Sequence, residues 1–249
     1  MAHLVWDWNG TLLDDLALVV TATNVSLASV GGPSVTAEEH RRDFRRPVWT
    51  YYEYVLGRRL TPEEFAALDR VFHDAYRRGL AETALAVDAR DAMAAWTGTQ
   101  SLLSMWRHHE LVPLVTRHGL HTQLLRVDGL RDRVGGGSKA PYLRAHLDAL
   151  GLKGSDCVLI GDSIDDAHAA QEVGAGIVLY TGGITHPERL RATGLPVADS
   201  LLQAVTLAVE LAGPDRTGPE VVGPEGVERE VVEREVAGRE VAEPEVAGR

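Results

Sequence analysis

Four short segments hold the residues whose types and spacing can do chemistry. The first, Asp7-Trp8-Asn9-Gly10-Thr11-Leu12, follows the apolar run His3–Trp6. A carboxylate at a strand end, followed by Gly and a small hydroxyl residue, can attack phosphorus while backbone N–H groups of the turn face the transferring oxygens. The same letters also read as a plain Asp-x-Asn-Gly turn. The second is Thr116, at the end of Leu-Val-Pro-Leu-Val-Thr. A hydroxyl there can bond a phosphate oxygen, although many strands end in Thr. The third is Lys139, after Gly135-Gly136-Gly137-Ser138. The chain has two lysines among 25 basic residues. A Lys where Arg is the habit fits a need for a compact point charge rather than a planar fork; the alternative is a chance surface Lys on a glycine loop. The spacing is not that of a nucleotide-cradling loop. The fourth is Gly161-Asp162-Ser163-Ile164-Asp165-Asp166. Three carboxylates within five residues of a buried-looking strand end repel one another unless a cation intervenes, and oxygen-only ligands suit Mg²⁺. As a helix cap alone the cluster is over-supplied with charge.

Each segment lies at or just after the C-terminal end of a predicted strand, the edge where open parallel sheets bind ligands. The predicted strands are His3–Trp6, residues 112–115, residues 158–160 and residues 177–180, with a short one near Val197. Pro113 inside the second run removes a ladder donor. Alternation of these runs with helical patterns predicts an α/β fold with a Rossmann-like, mostly parallel sheet. Between the first two strands the pattern is helical. Leu16, Val19, Val20, Thr23 and Leu27 recur at helical spacing until Gly31-Gly32-Pro33 stops them. Thr36 with Glu39, and Thr61 with Pro62 and Glu64, read as capping boxes. Phe65, Leu68, Val71, Phe72 and Tyr76 form a stripe after the second box. A crossover between parallel strands needs only a dozen or more residues, so the excess predicts an inserted α-helical cap over residues 16–88. The α/β core then takes residues 1–15 and 89–212.

Residues 213–249 differ in kind. They hold ten acidic residues, five Arg and ten Gly or Pro, with no aromatic, Leu or Ile. A five-residue repeat from Val227 matches neither a helix face nor a strand face. The segment reads as a disordered acidic low-complexity tail, with a partner-binding helix as the alternative. It carries −5 of the net charge of −11. The acidic balance and the lack of a clustered basic surface argue against nucleic acid as a partner. No apolar run approaches the ~18 residues of a membrane span. A single cysteine, Cys157, excludes an internal disulfide framework and a cysteine zinc site. A cytoplasmic protein with no membrane partner is the expectation.

Asp-x-x-Gly-Thr-Leu, a strand-end Thr, Lys, then Gly-Asp-x-x-x-Asp, in that order around a helical insertion, resembles the haloacid dehalogenase-like (HAD) superfamily, and its phosphoglycolate phosphatase-like branch most. The resemblance spans residues 3–212. It implies that Asp7 is a nucleophile forming an aspartyl-phosphate. It implies Mg²⁺ held by the Asp7 carboxylate, the Asn9 backbone carbonyl and Asp162, with Asp166 acting through water. Thr11, Thr116 and Lys139 would contact the phosphoryl group of a small phosphorylated metabolite, and Lys139 would also neutralise Asp7.

One position departs from the branch. Its phosphatases carry a second Asp two residues after the nucleophile, as general acid and then base; this chain has Asn9. An amide cannot protonate a leaving alkoxide or activate water, and such a group is worth ~10²–10⁴ in rate. Asp14 or Asp165, reaching in through water, is a possible stand-in. The expected function is a Mg²⁺-dependent phosphatase. The alternatives are a phosphate-binding or regulatory protein with weak turnover, and a metal-independent dehalogenase, against which the acidic cluster argues. Trp49, Tyr51, Tyr52 and Tyr54 read as cap core, and Arg45 and Arg46 as solvated surface or as partners for a substrate's anionic end.

Overall fold

A computed structural model of the chain describes residues 2–131 and 137–213. Six parallel strands form one sheet: β1 His3–Trp6, β2 Gln100–Arg107, β3 Val127–Leu130, β4 Cys157–Gly161, β5 Gly176–Tyr180 and β6 Val197–Ala198. Their order is β3-β2-β1-β4-β5-β6, so the winding reverses between β1 and β4. That switch point is where such sheets open a crevice.

The strands are buried on both faces because helices cover both. In β1, Leu4 and Trp6 join one apolar layer and Val5 the other. Helices α5 (Ala89–Ala95), α6 (His108–Arg117) and α10 (Leu201–Ala212) line the first layer, and α7 (Ala140–Leu150) and α8 (Ile164–Val173) the second. The remaining helix of this part is α9, Pro187–Arg191, whose Leu190 joins the second layer.

Four helices stand between β1 and α5: α1 Leu16–Ala28, α2 Ala37–Asp43, α3 Val48–Leu56 and α4 Pro62–Leu80. Both expected capping boxes close. Thr36 accepts from the Glu39 N–H at the start of α2, and Thr61 from the Glu64 N–H at the start of α4. Leu27, Tyr52 and Leu68 form a small apolar cluster shared by α1, α3 and α4. The described residues fall in one compact unit. Arg41 of α2 donates to the Thr181 carbonyl after β5. The disordered tail expected over residues 213–249 lies outside the described residues, save Gly213.

One expected strand is absent. Residues 112–115 are not a strand but part of α6. Leu111, Leu114 and Val115 are buried while Val112 and Pro113 face outward, a helical spacing that a run of four apolar residues cannot reveal. The strand beside β1 is instead β2. Its sequence, Gln-Ser-Leu-Leu-Ser-Met-Trp-Arg, hides it by carrying buried polar groups. Two of them are paired across the sheet: Gln100 Oε1 accepts from Trp6 Nε1 at 2.8 Å, and Ser101 Oγ bonds His3 Nε2 and His146 Nε2, each at 2.7 Å. Polar groups paired in this way escape the penalty of burial.

Candidate active site

The ends of β1, β2 and β4 bring the chemistry together. After β1 the backbone turns at once: Asp7 N–H still pairs with Ile160 of β4 at 2.9 Å, and the Trp8 carbonyl accepts from both Thr11 and Leu13. Gly10 holds φ +70°, and a Cβ there would lie 2.5 Å from Asp162 Oδ2. Only glycine meets both demands. The turn thus presses the Asp7 loop against the Asp162 carboxylate of the β4 end.

The Lys139 ammonium is the hub. Its Nζ lies 2.8 Å from Asp7 Oδ1 and 2.6 Å from Asp166 Oδ1, and the side chain is 2% exposed. Burial by itself would lower the lysine, but Asp166 and Asp7 outweigh it and hold it above its usual value. Burial pushes the Asp7 carboxyl up to about 7, with Lys139 opposing and Asp166 adding to the rise. Asp162 is raised well above the usual carboxylate range, by burial first and then by Asp7 and Asp166. Carboxylate oxygens of Asp7, Asp162 and Asp166 all lie within 4.8 Å of one another. One ammonium cannot balance three buried carboxylates. A small hard dication with oxygen ligands fits this donor set.

The rest of the cluster is held by its own loops. Asp166 caps α8, its Oδ2 accepting from Ser163 N–H at 3.1 Å. Asp162 Oδ2 accepts from Ile184 N–H at 2.6 Å. Gly183, beside it, has room for no side chain: a Cβ would lie 2.1 Å from Asp162 Oδ2.

The structure gives two of the expected phosphoryl contacts other places. Thr116 sits exposed on α6, and its hydroxyl donates to the Val112 carbonyl at 2.9 Å. It belongs to helix rather than to a strand end, so it is removed from the site. Thr11 is fully buried and donates to Asp162 Oδ1 at 3.2 Å. Its hydroxyl is spent on aiming a carboxylate, not on substrate.

The hydroxyl missing from the sequence reading is Ser104, in the irregular stretch of β2 after Leu103. Ser104 Oγ accepts from Trp106 N–H at 3.0 Å and donates to Asn9 Oδ1 at 3.2 Å. The available signal was the short run Leu102-Leu103 ending in Ser.

Asn9 itself is fully engaged. Its Nδ2 donates to Asp15 Oδ2 at 2.9 Å and to Tyr76 OH at 2.8 Å, and Tyr76 OH donates to Asp15 Oδ2 at 2.5 Å. Asp15 also accepts from Gly10 N–H at 2.7 Å. Burial raises the Asp15 carboxyl, against the bonds from Tyr76 and Asn9. Asp15 is a residue the sequence reading passed over. Of the two stand-in acids it named, Asp14 is exposed and Asp165 lines the cavity.

Asp7, Asn9, Ser104, Lys139, Asp162 and Asp166 open into one cavity of about 460 Å³. Its remaining wall comes largely from α1, α3 and α4 and the segment between α2 and α3, with Phe44, Trp49, Tyr51, Tyr52, Phe65 and Phe72 prominent. Trp49, read as cap core, is 47% exposed and part of this wall.

Residues 135–204 match the HAD-hydrolase-like family model. Solved structures share the whole architecture. A predicted phosphoglycolate phosphatase from Haemophilus somnus 129PT superposes with TM-score 0.67 at 17% identity, over 84% of this chain and 98% of its own. A haloacid dehalogenase-like hydrolase family protein from Streptococcus pneumoniae gives TM-score 0.72 at 17% identity, over 83% and 98%. A predicted phosphatase from Clostridium acetobutylicum gives 0.70 at 15%, over 84% and 98%. No curated protein matches the sequence at a significant level. The fold is therefore that of the haloacid dehalogenase-like hydrolases, as the order of the motifs indicates.

Proposed function

We propose that this chain is a Mg²⁺-dependent phosphatase that forms an aspartyl-phosphate, an acyl phosphate, on Asp7, with α1–α4 as a cap over the substrate. The observation that carries the reading is the Asp7–Lys139–Asp166 ion cluster at the mouth of the β1/β4 switch point, with Asp162 beside it. Asp7, Asp162, Asp166 and the Asn9 carbonyl are the groups that would hold the metal. When bound it would supply the positive charge that lets a phosphate dianion approach three carboxylates.

The protein's own groups do the rest. Lys139 keeps a proton and holds Asp7 as a carboxylate ready to attack phosphorus. Lys139, with one N–H beyond those given to Asp7 and Asp166, offers a donor to the phosphoryl oxygens, and the Ser104 hydroxyl could donate only by giving up its bond to Asn9 Oδ1. Thr11, Ile184 N–H and Ser163 N–H keep Asp162 and Asp166 aimed inward. Asn9 offers no acidic proton; its amide instead ties the loop to Asp15 and Tyr76.

That last feature supports a second reading, a phosphate-binding protein with weak turnover. Phosphate release from a panel of esters, with Mg²⁺ and with chelator, separates the two. Asp7→Asn preserves side-chain volume and should lower turnover by several orders of magnitude; retention of more than about a tenth of wild-type activity rules the covalent route out. A cytoplasmic setting goes with the phosphatase reading. Among the described residues no helix is long and apolar enough to cross a membrane.

A further inference from the structure

We propose that the substrate is an aryl phosphate whose ring bears no charge, a class that rests on the phosphatase reading above and narrows it. Three separate features of the cavity point there.

The first is the wall. A cavity of about 460 Å³ falls within the ~300–1,000 Å³ typical of sites that enclose drug-sized organic ligands. Aromatic surface begins beside the nucleophile loop. Tyr76, hydrogen-bonded to Asn9, has its ring 4.9 Å from Trp106 and 5.9 Å from Phe72. Trp49 and Phe65 add a second pair at 6.3 Å. Such rings receive another ring well, offset or edge to face.

The second is charge. The described lining holds six aspartates against two permanent cations, Lys139 and Arg46. Lys139 is taken up by Asp7 and Asp166. Arg46 lines the cavity and makes no ion pair with a described residue. His73 Nε2 sits 3.4 Å from Asp69 Oδ1, and burial lowers His40 to about 4, so it is neutral at pH 7. Six aspartates against two cations leave the described lining net negative, which disfavours a carboxylate on the leaving group.

The third is the leaving group itself. Attack of Asp7 Oδ on phosphorus breaks the P–O bond to the organic group, and the electron pair departs on that oxygen. A phenolate leaves without a proton and takes one later from water. A simple alkoxide needs an acid in the transition state, which Asn9 does not provide. Water then attacks the aspartyl-phosphate, returning the Asp7 carboxylate and releasing inorganic phosphate and one proton.

Because aryl esters are intrinsically more reactive, affinity must be measured apart from turnover. Competitive inhibition constants of (naphthylmethyl)phosphonate and phosphonoacetate, neither hydrolysable, are compared on the Mg²⁺-loaded full-length protein, alongside phosphate release from 1-naphthyl phosphate, glycerol phosphate and phosphoglycolate. The aromatic phosphonate should bind at least tenfold tighter. Trp49→Ala, at a half-exposed position outside the catalytic cluster, should weaken it severalfold and leave phosphonoacetate unchanged. If Trp49→Ala folds poorly, Arg46→Gln serves: it should leave the aromatic inhibitor untouched. Tighter binding of phosphonoacetate, or its selective loss in Arg46→Gln, would overturn the aromatic class while phosphate release from phosphoglycolate left the phosphatase reading standing. No release from any ester with Mg²⁺ would overturn the phosphatase reading and this proposal with it.

Discussion

Asn9→Asp separates the chemistry of position 9 from its packing. In the wild type Asn9 Nδ2 lies 2.9 Å from Asp15 Oδ2, so the substitution sets a second carboxylate against the first. At that separation and an effective dielectric of ~20, two unit charges repel by on the order of 5 kcal/mol. That exceeds thermal energy several-fold, so at neutral pH the pair should share one proton. A protonated carboxyl at position 9 is the acid the wild type lacks. Acid–base groups are worth ~10²–10⁴ in rate, of which a shared proton recovers part. The expected outcome is at least a tenfold rise in kcat/KM for an alkyl ester such as glycerol phosphate. An aryl phosphate should gain less, unless hydrolysis of the aspartyl-phosphate limits both. The variant also loses the donor to Tyr76. At roughly 1 kcal/mol per bond, Tm should fall by about 2–4 °C. The assay is phosphate release from one alkyl and one aryl ester by both proteins at saturating Mg²⁺, with thermal unfolding beside it. A folded variant with no gain on the alkyl ester would refute the idea that position 9 limits turnover.

Lys139→Met leaves Asp7 and Asp166 without their shared cation; removing one partner of a buried ion pair costs roughly 3–5 kcal/mol, and turnover should fall by ~10²–10³. Activity within tenfold of wild type would contradict the role given to Lys139. Gly183→Ala drives a Cβ into Asp162, where only 2.1 Å is available, so the Mg²⁺ concentration for half-maximal activity should rise by ~10–100-fold, as when support of a metal ligand is lost; an unchanged Mg²⁺ titration would count against Asp162 as a ligand. Burial lowers the His3 imidazole to about 4, with His146 nearby contributing. The unfolded chain therefore binds more protons than the folded one between pH 6.5 and 4, and this histidine's contribution is full above that window and lost as pH falls through it. His3→Gln keeps bonding capacity toward Thr99 and Ser101 without the titration. The stability advantage of wild type over His3→Gln should shrink by up to about 3 kcal/mol from pH 7 to 4, measured by urea unfolding at each pH; a pH-independent difference would show that His3 does not titrate in this way.

What the sequence determined by itself was local. Asp7 and Asp162 follow strands whose apolar residues declare themselves, β1 and β4, and each sits on the loop that its own strand delivers to the sheet edge. Ser163 with Asp166, and Thr36 with Glu39, lie within one helical turn, so their capping bonds need no distant partner. Parallel order followed from strands alternating with helices. Lys139 was visible through composition alone, in a chain that otherwise writes Arg.

The tertiary structure decided what depends on pairing across long separations. β2 was hidden because Gln100 and Ser101 find cross-sheet partners in Trp6, His3 and His146, residues 45 to 98 positions away. With β2 unseen, the Ser104 hydroxyl that it brings to the cavity went unseen too, and Thr116 of α6 was taken for it. Asp15 looked like one more acid in Leu-Asp-Asp until α4 brought Tyr76 back against it. The emptiness that Gly183 keeps around Asp162 has no signature along the chain, because it is a property of two loops meeting after β4 and β5. Short-range patterns report what a segment can form; which polar group it may bury is set by the partner that folding places opposite it.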